Sequence, residues 1–296
     1  MKRLLLGFVA SVAVVTPLVA QERPKLPTKP PDGTKIARDI KYVPDAGERQ
    51  TLDLYLPAKS DKPVPLVIYI HGGGWEGGSK NGGTPFMYLD QGYAVASVNY
   101  RLSNLGTFPA QIQDCKEAVR WLRLHAKENN IDPERFGAFG PSAGGHLVSL
   151  LATTGDDTFS PLQEKTKSVS TKVSAVCNWF GPTDFLHWGD SQEPVGGAKG
   201  PVQKLLGGTV SERLDLAKRA SPVTFVAKSA APLLIMHGDK DPLVPLQQSE
   251  VLYKALKNAG ADVTFHVVKG AGHGNGFLVP EVFTMMDEFF AKHLKK

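Results

Sequence analysis

Cysteine is scarce in this chain of 296 residues, and no region is dominated by charge of one sign. Two cysteines, Cys115 and Cys177, are too few for the multi-disulfide framework of a small secreted scaffold. Both lie in apolar patterns, so we predict buried free thiols, with a single disulfide between them as the alternative. Lysines and arginines are interspersed with acidic residues and form no basic stripe with aromatic side chains, which argues against binding to nucleic acid.

Long apolar runs are also rare, and the one that stands out is at the N-terminus. Two basic residues precede the apolar segment 4–15, and a small residue, Ala20, ends the region. This pattern predicts a secretory signal peptide over residues 1–20, so we expect an exported protein, secreted or periplasmic, without stable membrane insertion after cleavage. An uncleaved membrane anchor is the alternative, but it needs about 20 apolar residues, and Pro17 interrupts the run before that length.

The composition of the whole chain, with 42% hydrophobic and 21% charged residues, is that of a globular protein with a large core. The polar, proline-rich stretch 21–34 predicts an extended leader, and residues 35–296 predict one domain. In that domain, short apolar runs rich in branched residues alternate with amphipathic segments. Eight strands are predicted, at 36–43, 51–56, 65–70, 93–98, 135–139, 173–179, 232–237 and 263–268.

Helices are predicted between these strands and after the last one, at 109–127, 143–152, 246–259 and 280–294. The stretch of about 181–231 interrupts the alternation with many glycines, prolines and charges, and we predict a small cap insertion there. Strands separated by helices form a mainly parallel sheet. The predicted fold class is therefore α/β, with a sheet of about eight strands, helices on both faces and one insertion.

Residues 140–144 read Gly-Pro-Ser-Ala-Gly and lie between a predicted strand and a predicted helix. A serine in this context occupies a tight turn, and the flanking glycines remove side chains that would clash. The turn places the hydroxyl above the sheet, at the N-terminus of the next helix. Ser142 is therefore the candidate nucleophile, and a glycine-rich helix start without a catalytic role is the alternative.

A serine hydroxyl needs a neighbouring base before it can act as a nucleophile, and His273 is the candidate. It lies in the glycine-rich loop 270–274, directly after the last predicted strand. Most other histidines fall in predicted helices, in a strand or in the cap. Among them, His146 lies one turn into the nucleophile helix, and we predict that it supports the site.

The base needs an acid to hold its tautomer, and the segment 236–242 offers two carboxylates at a strand end. We predict Asp241, which precedes a proline, and interpret Asp239 as a solvated or turn-capping residue. A metal bound by His237 and both aspartates is the alternative, but a triad acid accounts for the same residues. The order Ser, Asp, His along the chain is typical of the α/β-hydrolase fold, and we predict no metal and no cofactor.

Residues 71–75, which we call the glycine loop, read His-Gly-Gly-Gly-Trp and directly follow a predicted buried strand. Consecutive glycines allow backbone N–H groups to face a developing oxyanion without side chains in the way. We predict that the amides of Gly73, Gly74 and Ala143 form an oxyanion hole. A phosphate-binding loop would end in Gly-Lys followed by Ser or Thr, and this segment does not.

Seven short motifs follow one another along the chain: His71-Gly-Gly-Gly-Trp75, Asn99-Tyr-Arg101, Phe108-Pro-Ala-Gln111, Val119-Arg-Trp-Leu122, Gly140-Pro-Ser-Ala-Gly-Gly-His146, His237-Gly-Asp-Lys-Asp-Pro242 and Gly272-His-Gly274. Together they resemble the α/β-hydrolase esterases of the hormone-sensitive-lipase-like group. Within that group, the chain resembles the type described as bifunctional feruloyl and acetyl xylan esterases. The resemblance covers roughly residues 36–294.

The resemblance implies a serine esterase that uses Ser142, Asp241 and His273 as its triad and the glycine loop as its oxyanion hole. It also implies acetyl or feruloyl groups on plant polysaccharide, or small esters, as substrates, and it implies no cofactor.

Three aromatic residues, Trp75, Trp179 and Phe180, are candidate substrate-binding residues, with packing in the core as the alternative. An amidase or peptidase with the same triad is a rival function. A catalytically silent binding protein on this fold is the other.

Overall fold

The computed structural model describes residues 27–45, 47–159, 161–189 and 200–295. The predicted signal peptide, 1–20, and the first part of the predicted leader lie outside the described residues. Residues 27–34 of that leader form turns and bends without a helix or strand. Within the described ranges, no helix is long and apolar enough to cross a membrane.

Eight strands of the described chain form one sheet in the order β1-β2-β4-β3-β5-β6-β7-β8. Strand β2 pairs antiparallel with β1 and β4, and every other pair is parallel. The sheet therefore agrees with the predicted one in strand number and direction. The strands are β1 Lys35–Lys41, β2 Thr51–Leu56, β3 Val64–Ile70, β4 Ala94–Val98, β5 Ile131–Pro141, β6 Ala175–Trp179, β7 Leu233–Gly238 and β8 Val263–Val268.

The helices cover both faces of this sheet. Side chains of α2, α3 and α6 belong to one buried cluster, and those of α1 and α7 belong to a second cluster. The helices are α1 Met87–Asp90, α2 Ala110–Leu124, α3 Ala143–Thr153, α4 Pro201–Leu206, α5 Leu214–Ala220, α6 Gln247–Asn258 and α7 Pro280–Leu294. Helix α1 was not predicted because four residues are too few to show a helical period.

Strand β3 shows how the sequence produces this two-sided packing. All seven of its residues are buried. Leu66, Ile68 and Ile70 belong to the first cluster, whereas Val67 and Tyr69 belong to the second, as the alternation of side chains along a strand requires. A strand buried on both faces has no polar face, which is why it reads as a continuous apolar run.

The two cysteines are free and buried, as the apolar patterns around them predict. Cys115 belongs to the cluster of α2, and Cys177 belongs to the cluster on the α7 face. The sheet therefore separates the two thiols, and the alternative of a single disulfide between them is wrong.

The predicted cap stretch, 181–231, contains α4, α5 and a short 3-10 helix at Pro222–Phe225 among its described residues. Residues 190–199 of the stretch lie outside the described residues. Apolar side chains of α4 and α5 are buried with the first cluster, which attaches this stretch to the α2 face. Its role as a cap stays a prediction.

Candidate active site

Ser142 occupies the sharp turn between β5 and α3, with φ of 55° and ψ of −121°. This left-handed backbone is strained for a residue with a side chain, and the surrounding contacts hold it in place. The Ser142 amide donates to the Trp179 carbonyl at 2.8 Å. A Cβ on Gly140 would lie 2.5 Å from the carbonyl carbon of Gly144, so the turn closes only with glycine at that position. The structure therefore places Ser142 as the motif predicts.

Replacing Gly144 with alanine should destabilise the protein by about 3 kcal/mol, the upper end of the range for overpacking. An added Cβ would lie 2.0 Å from the Ile70 carbonyl oxygen and 2.9 Å from that of His71. Both atoms belong to the backbone, Ile70 at the end of β3 and His71 directly after it, so neither can move independently of the sheet. The measurement is thermal or urea unfolding beside Gly47→Ala, since a Cβ at Gly47 has nothing within 4 Å. Equal stability of the two variants would contradict the steric argument.

His273 connects Ser142 to Asp241, and all three follow the carboxyl ends of parallel strands. The Nε2 atom of His273 lies 2.8 Å from Ser142 Oγ, and its Nδ1 atom lies 2.7 Å from Asp241 Oδ2. An ionised carboxylate only accepts, so Nδ1 carries the proton and Nε2 is left to accept from the serine hydroxyl. The structure thus brings the three predicted residues together in the geometry of a nucleophile, a base and an orienting acid.

Asp241 is held in its ionised form by its surroundings. Its Oδ1 atom accepts from the amides of Leu243 at 2.8 Å and Val244 at 2.9 Å, and the ring of His237 lies 3.3 Å from Oδ2. Burial alone would raise the pKa of this carboxyl. The hydrogen bonds from His237, His273 and Val244 outweigh burial and hold the pKa of Asp241 well below its usual range.

His237, which the sequence suggested only as an alternative metal ligand, has all its hydrogen bonds within the protein. Its Nδ1 atom lies 2.7 Å from Ser249 Oγ, and its Nε2 atom lies 2.9 Å from the Val244 carbonyl. Asp239 accepts from the Gly270 amide at 2.6 Å, away from the triad. This contact fits the interpretation of Asp239 as a turn-capping residue.

The glycine loop lies directly against the nucleophile turn. A Cβ on Gly72 would be 2.9 Å from the Pro141 carbonyl oxygen and 3.5 Å from Ser142 Cβ. Gly73 and Gly74 have φ of 110° and 60°, and within the described chain neither amide donates a hydrogen bond. Ala143 is the first residue of α3, where an N–H has no partner within the helix. These amides are available to an oxyanion, which keeps the predicted oxyanion hole as our hypothesis.

A cleft of about 490 Å³ opens onto Ser142 and His273. Trp75 and Phe180 line it, and the Phe180 ring centroid lies 4.6 Å from that of His273. Trp188, which lies in the predicted cap stretch, also lines the cleft. The remaining wall is mostly apolar and is formed by Pro141, Pro182, Pro201, Val202, Leu243 and Val244.

The assignment of Trp179 as a substrate-binding residue is wrong. Its ring packs against Phe139, Phe277 and Phe283 in the cluster on the α7 face, and it does not line the cleft. Trp179 ends β6, and its side chain follows the strand alternation to the face opposite α3. Trp179 therefore does not share the cleft with Phe180, although the two residues are adjacent in the sequence.

The profile of the BD-FAE family matches residues 52–256, more than half of the chain. The chain belongs to the BD-FAE family. The matched range contains Ser142 and Asp241, and His273 follows it. This membership confirms the resemblance to α/β-hydrolase esterases of the hormone-sensitive-lipase-like group.

The chain is also similar in sequence and structure to proteins that are described as esterases, which is consistent with its membership of the BD-FAE family. Esterase LipQ of Mycobacterium tuberculosis is 31% identical over 79% of this chain and 56% of its own length. A solved carbohydrate esterase from gut microbiota is 34% identical, with a TM-score of 0.82 over 90% of this chain and 99% of that one. The acetyl ester-xyloside bifunctional hydrolase of Caldicellulosiruptor lactoaceticus is 25% identical, with a TM-score of 0.67 over 83% of this chain and 86% of that one. The chain spans about half the length of the curated relatives it matches.

His71, the first residue of the glycine loop, is buried and neutral, and its ring supports the backbone that follows it. Its Nδ1 atom lies 2.7 Å from the Gly72 carbonyl, so it donates there, and Arg49 donates to its Nε2 at 3.0 Å. The ring stacks on Tyr100, with centroids 4.3 Å apart. Arg49 has no motif of its own, and sequence reasoning missed it.

His146 joins the nucleophile helix to the glycine loop and to α5, which agrees with its predicted supporting role. Its Nδ1 atom accepts from the indole N–H of Trp75 at 3.2 Å, and its Nε2 atom donates to the Ala220 carbonyl at 2.7 Å. Both ring nitrogens of this buried side chain are therefore satisfied in the neutral form.

Because His71 and His146 are buried, we expect this BD-FAE member to lose stability as the pH falls from about 6.5 to about 4. Burial lowers the pKa of both His71 and His146 to about 4. Between the two pH values the unfolded chain, with a histidine pKa of about 6.5, binds more protons than the folded one. Each histidine therefore removes up to about 3 kcal/mol from the free energy of unfolding across that window.

Urea unfolding at pH 7 and pH 4.5 measures this loss. The variant His146→Gln, whose amide can both donate and accept, should show a smaller difference between the two pH values than the unchanged protein. A variant with the same pH dependence as the unchanged protein would show that His146 does not contribute to the loss.

Proposed function

We propose that the protein is a serine carboxylic ester hydrolase that acts through an acyl-enzyme. The observation that carries this proposal is the continuous hydrogen-bond chain from Ser142 Oγ through the ring of His273 to Asp241, at the base of a mostly apolar cleft. A serine hydroxyl becomes a useful nucleophile only beside such a base, and the base is effective only when its tautomer is fixed.

The proposed reaction follows from the positions of these groups. Ser142 Oγ attacks the ester carbonyl carbon while His273 Nε2 takes the hydroxyl proton. The amides of Gly73, Gly74 and Ala143 stabilise the negative charge that develops on the carbonyl oxygen. His273 then gives its proton to the leaving alcohol, and the acyl group stays on Ser142. Water, activated by the same histidine, releases the acid and restores the serine, while Asp241 stays ionised throughout.

The proposed substrates are acetyl or feruloyl esters on plant polysaccharide, or small esters of the same kind. The mostly apolar cleft with its aromatic residues can contact an acyl group, and its volume suits a small ligand. Two structural neighbours are described as a carbohydrate esterase and as an acetyl ester-xyloside hydrolase. We also propose export from the cytoplasm, which rests on the sequence pattern of residues 1–20.

The test is turnover of 4-nitrophenyl acetate compared with its amide analogue, 4-nitroacetanilide. An ester hydrolase releases 4-nitrophenol and leaves the anilide almost untouched. Comparison of acetylated xylan with methyl ferulate then identifies the acyl group. Faster turnover of the anilide than of the ester would indicate an amidase instead of an esterase. No turnover of any of these four compounds would favour a binding protein.

A further inference from the structure

One charged pair lies at the otherwise apolar wall of the cleft. Glu76 is the only carboxylate among the described residues that line it, and it directly follows Trp75, the last residue of the glycine loop. Lys204, on helix α4, forms an ion pair with Glu76 Oε1. The side chains are partly exposed, 30% for Glu76 and 54% for Lys204, so solvent and substrate can both reach them.

The pair lies where the glycine loop meets α4. A Cβ on Gly74 would be 3.2 Å from Pro201 Cβ and 4.0 Å from Glu76 Oε2. The carboxylate oxygen that Lys204 does not hold is therefore next to Gly74, one of the predicted oxyanion donors. Glu76 is attached firmly at its backbone as well, because its amide donates to the Gly73 carbonyl at 3.0 Å.

Stability does not explain why a carboxylate is placed at this position. An ion pair between partly exposed side chains contributes only about 0–1 kcal/mol. A carboxylate oxygen beside an ester site, however, accepts strong hydrogen bonds from hydroxyl groups. The other cleft residues outside the triad and the glycine loop are tryptophan, phenylalanine, proline, valine and leucine, whose side chains offer no acceptor to a hydroxyl group.

We propose that Glu76 is a specificity-determining residue that accepts hydrogen bonds from hydroxyl groups on the alcohol part of the ester. The alcohol it selects is a polyhydroxylated ring, such as a xylose unit, and Lys204 holds the carboxylate in the orientation that binds it. This inference rests on the proposed esterase function and names the part of the substrate that the apolar wall cannot recognise.

The experiment compares two acetate esters with rings of similar size. One is methyl xyloside carrying a single acetyl group, and the other is cyclohexyl acetate, which has no free hydroxyl. In Glu76→Ala, KM for the xyloside should rise about 10-fold to 100-fold, the value of a hydrogen bond to a charged group, with little change in kcat. KM for cyclohexyl acetate should change by less than about twofold, because no hydroxyl is present to lose its partner.

The variant Lys204→Met separates substrate contact from a structural role. If Glu76 acted only by tying α4 to the glycine loop, Lys204→Met would reproduce the effect of Glu76→Ala on both esters. We expect instead a smaller rise in KM for the xyloside alone. Equal losses on both esters in Glu76→Ala, or no loss on either, would overturn the proposal. Turnover of 4-nitrophenyl acetate by the unchanged protein tests the esterase function separately.

Discussion

Replacing Ser142 with alanine should lower kcat for 4-nitrophenyl acetate by about 10⁵-fold to 10⁶-fold, the scale of loss when a triad nucleophile is removed. The reason is geometric, because Ser142 Oγ is the only hydroxyl on which His273 Nε2 acts among the described residues. Without it the acyl-enzyme cannot form, and the reaction is left with the residual contribution of the oxyanion donors and of binding. Steady-state release of 4-nitrophenol, with an active-site titration of the unchanged protein, measures the loss.

A second serine variant controls for the effect of substitution itself. Ser168 is exposed and far in sequence from the triad, so Ser168→Ala should keep the full rate. A fluorophosphonate probe should label the unchanged protein and Ser168→Ala, and leave Ser142→Ala unlabelled. Labelling of Ser142→Ala, or a rate equal to that of the unchanged protein, would show that another residue is the nucleophile.

The backbone of the site could be predicted because its residues lie at strand ends. Ser142, Asp241 and His273 each follow a strand that reads as a short apolar run, and the carboxyl ends of neighbouring parallel strands meet at one edge of the sheet. Glycine marked the positions where a side chain cannot fit. At Gly144, for example, an added Cβ would meet the Ile70 carbonyl oxygen at 2.0 Å.

The walls and supports of the site could not be predicted, because they depend on contacts between distant segments. Arg49 reaches His71 across 22 positions of the sequence, and Lys204 reaches Glu76 across 128. No local period or motif encodes such pairs. The prediction that Trp179 binds substrate was wrong for a related reason. A shift of one residue at a strand end decides which face of the sheet a side chain occupies.

Buried histidines connect the parts of the site that lie at the ends of different strands. His71 supports the glycine loop, His146 joins that loop to the nucleophile helix and α5, and His237 contacts the triad acid. Each has a partner at both ring nitrogens, and the hydrogen bonds of neutral His71 and His146 require a particular tautomer. Such groups hold catalytic side chains at fixed distances, and their function cannot be read from sequence spacing alone.

Replacing Asp241 with asparagine should lower kcat for 4-nitrophenyl acetate by about 10³-fold to 10⁴-fold, without a large change in structure. The carboxylate accepts the Nδ1 proton of His273 at 2.7 Å and stabilises the positive ring that forms during attack. An amide carries no charge, and its NH₂ group can face Nδ1 and favour the tautomer with the proton on Nε2. That proton would then point at Ser142, and the histidine could not act as a base.

The matched control for this prediction is Asp239→Asn, two residues away. Asp239 accepts from the Gly270 amide, and asparagine can accept the same bond through its carbonyl oxygen, so we expect less than about a threefold change in kcat. The pair also decides between the two aspartates that the sequence offers. A larger loss in Asp239→Asn than in Asp241→Asn would show that Asp239, and not Asp241, is the acid of the triad. Equal, small losses in both would mean that His273 needs no carboxylate to keep its tautomer.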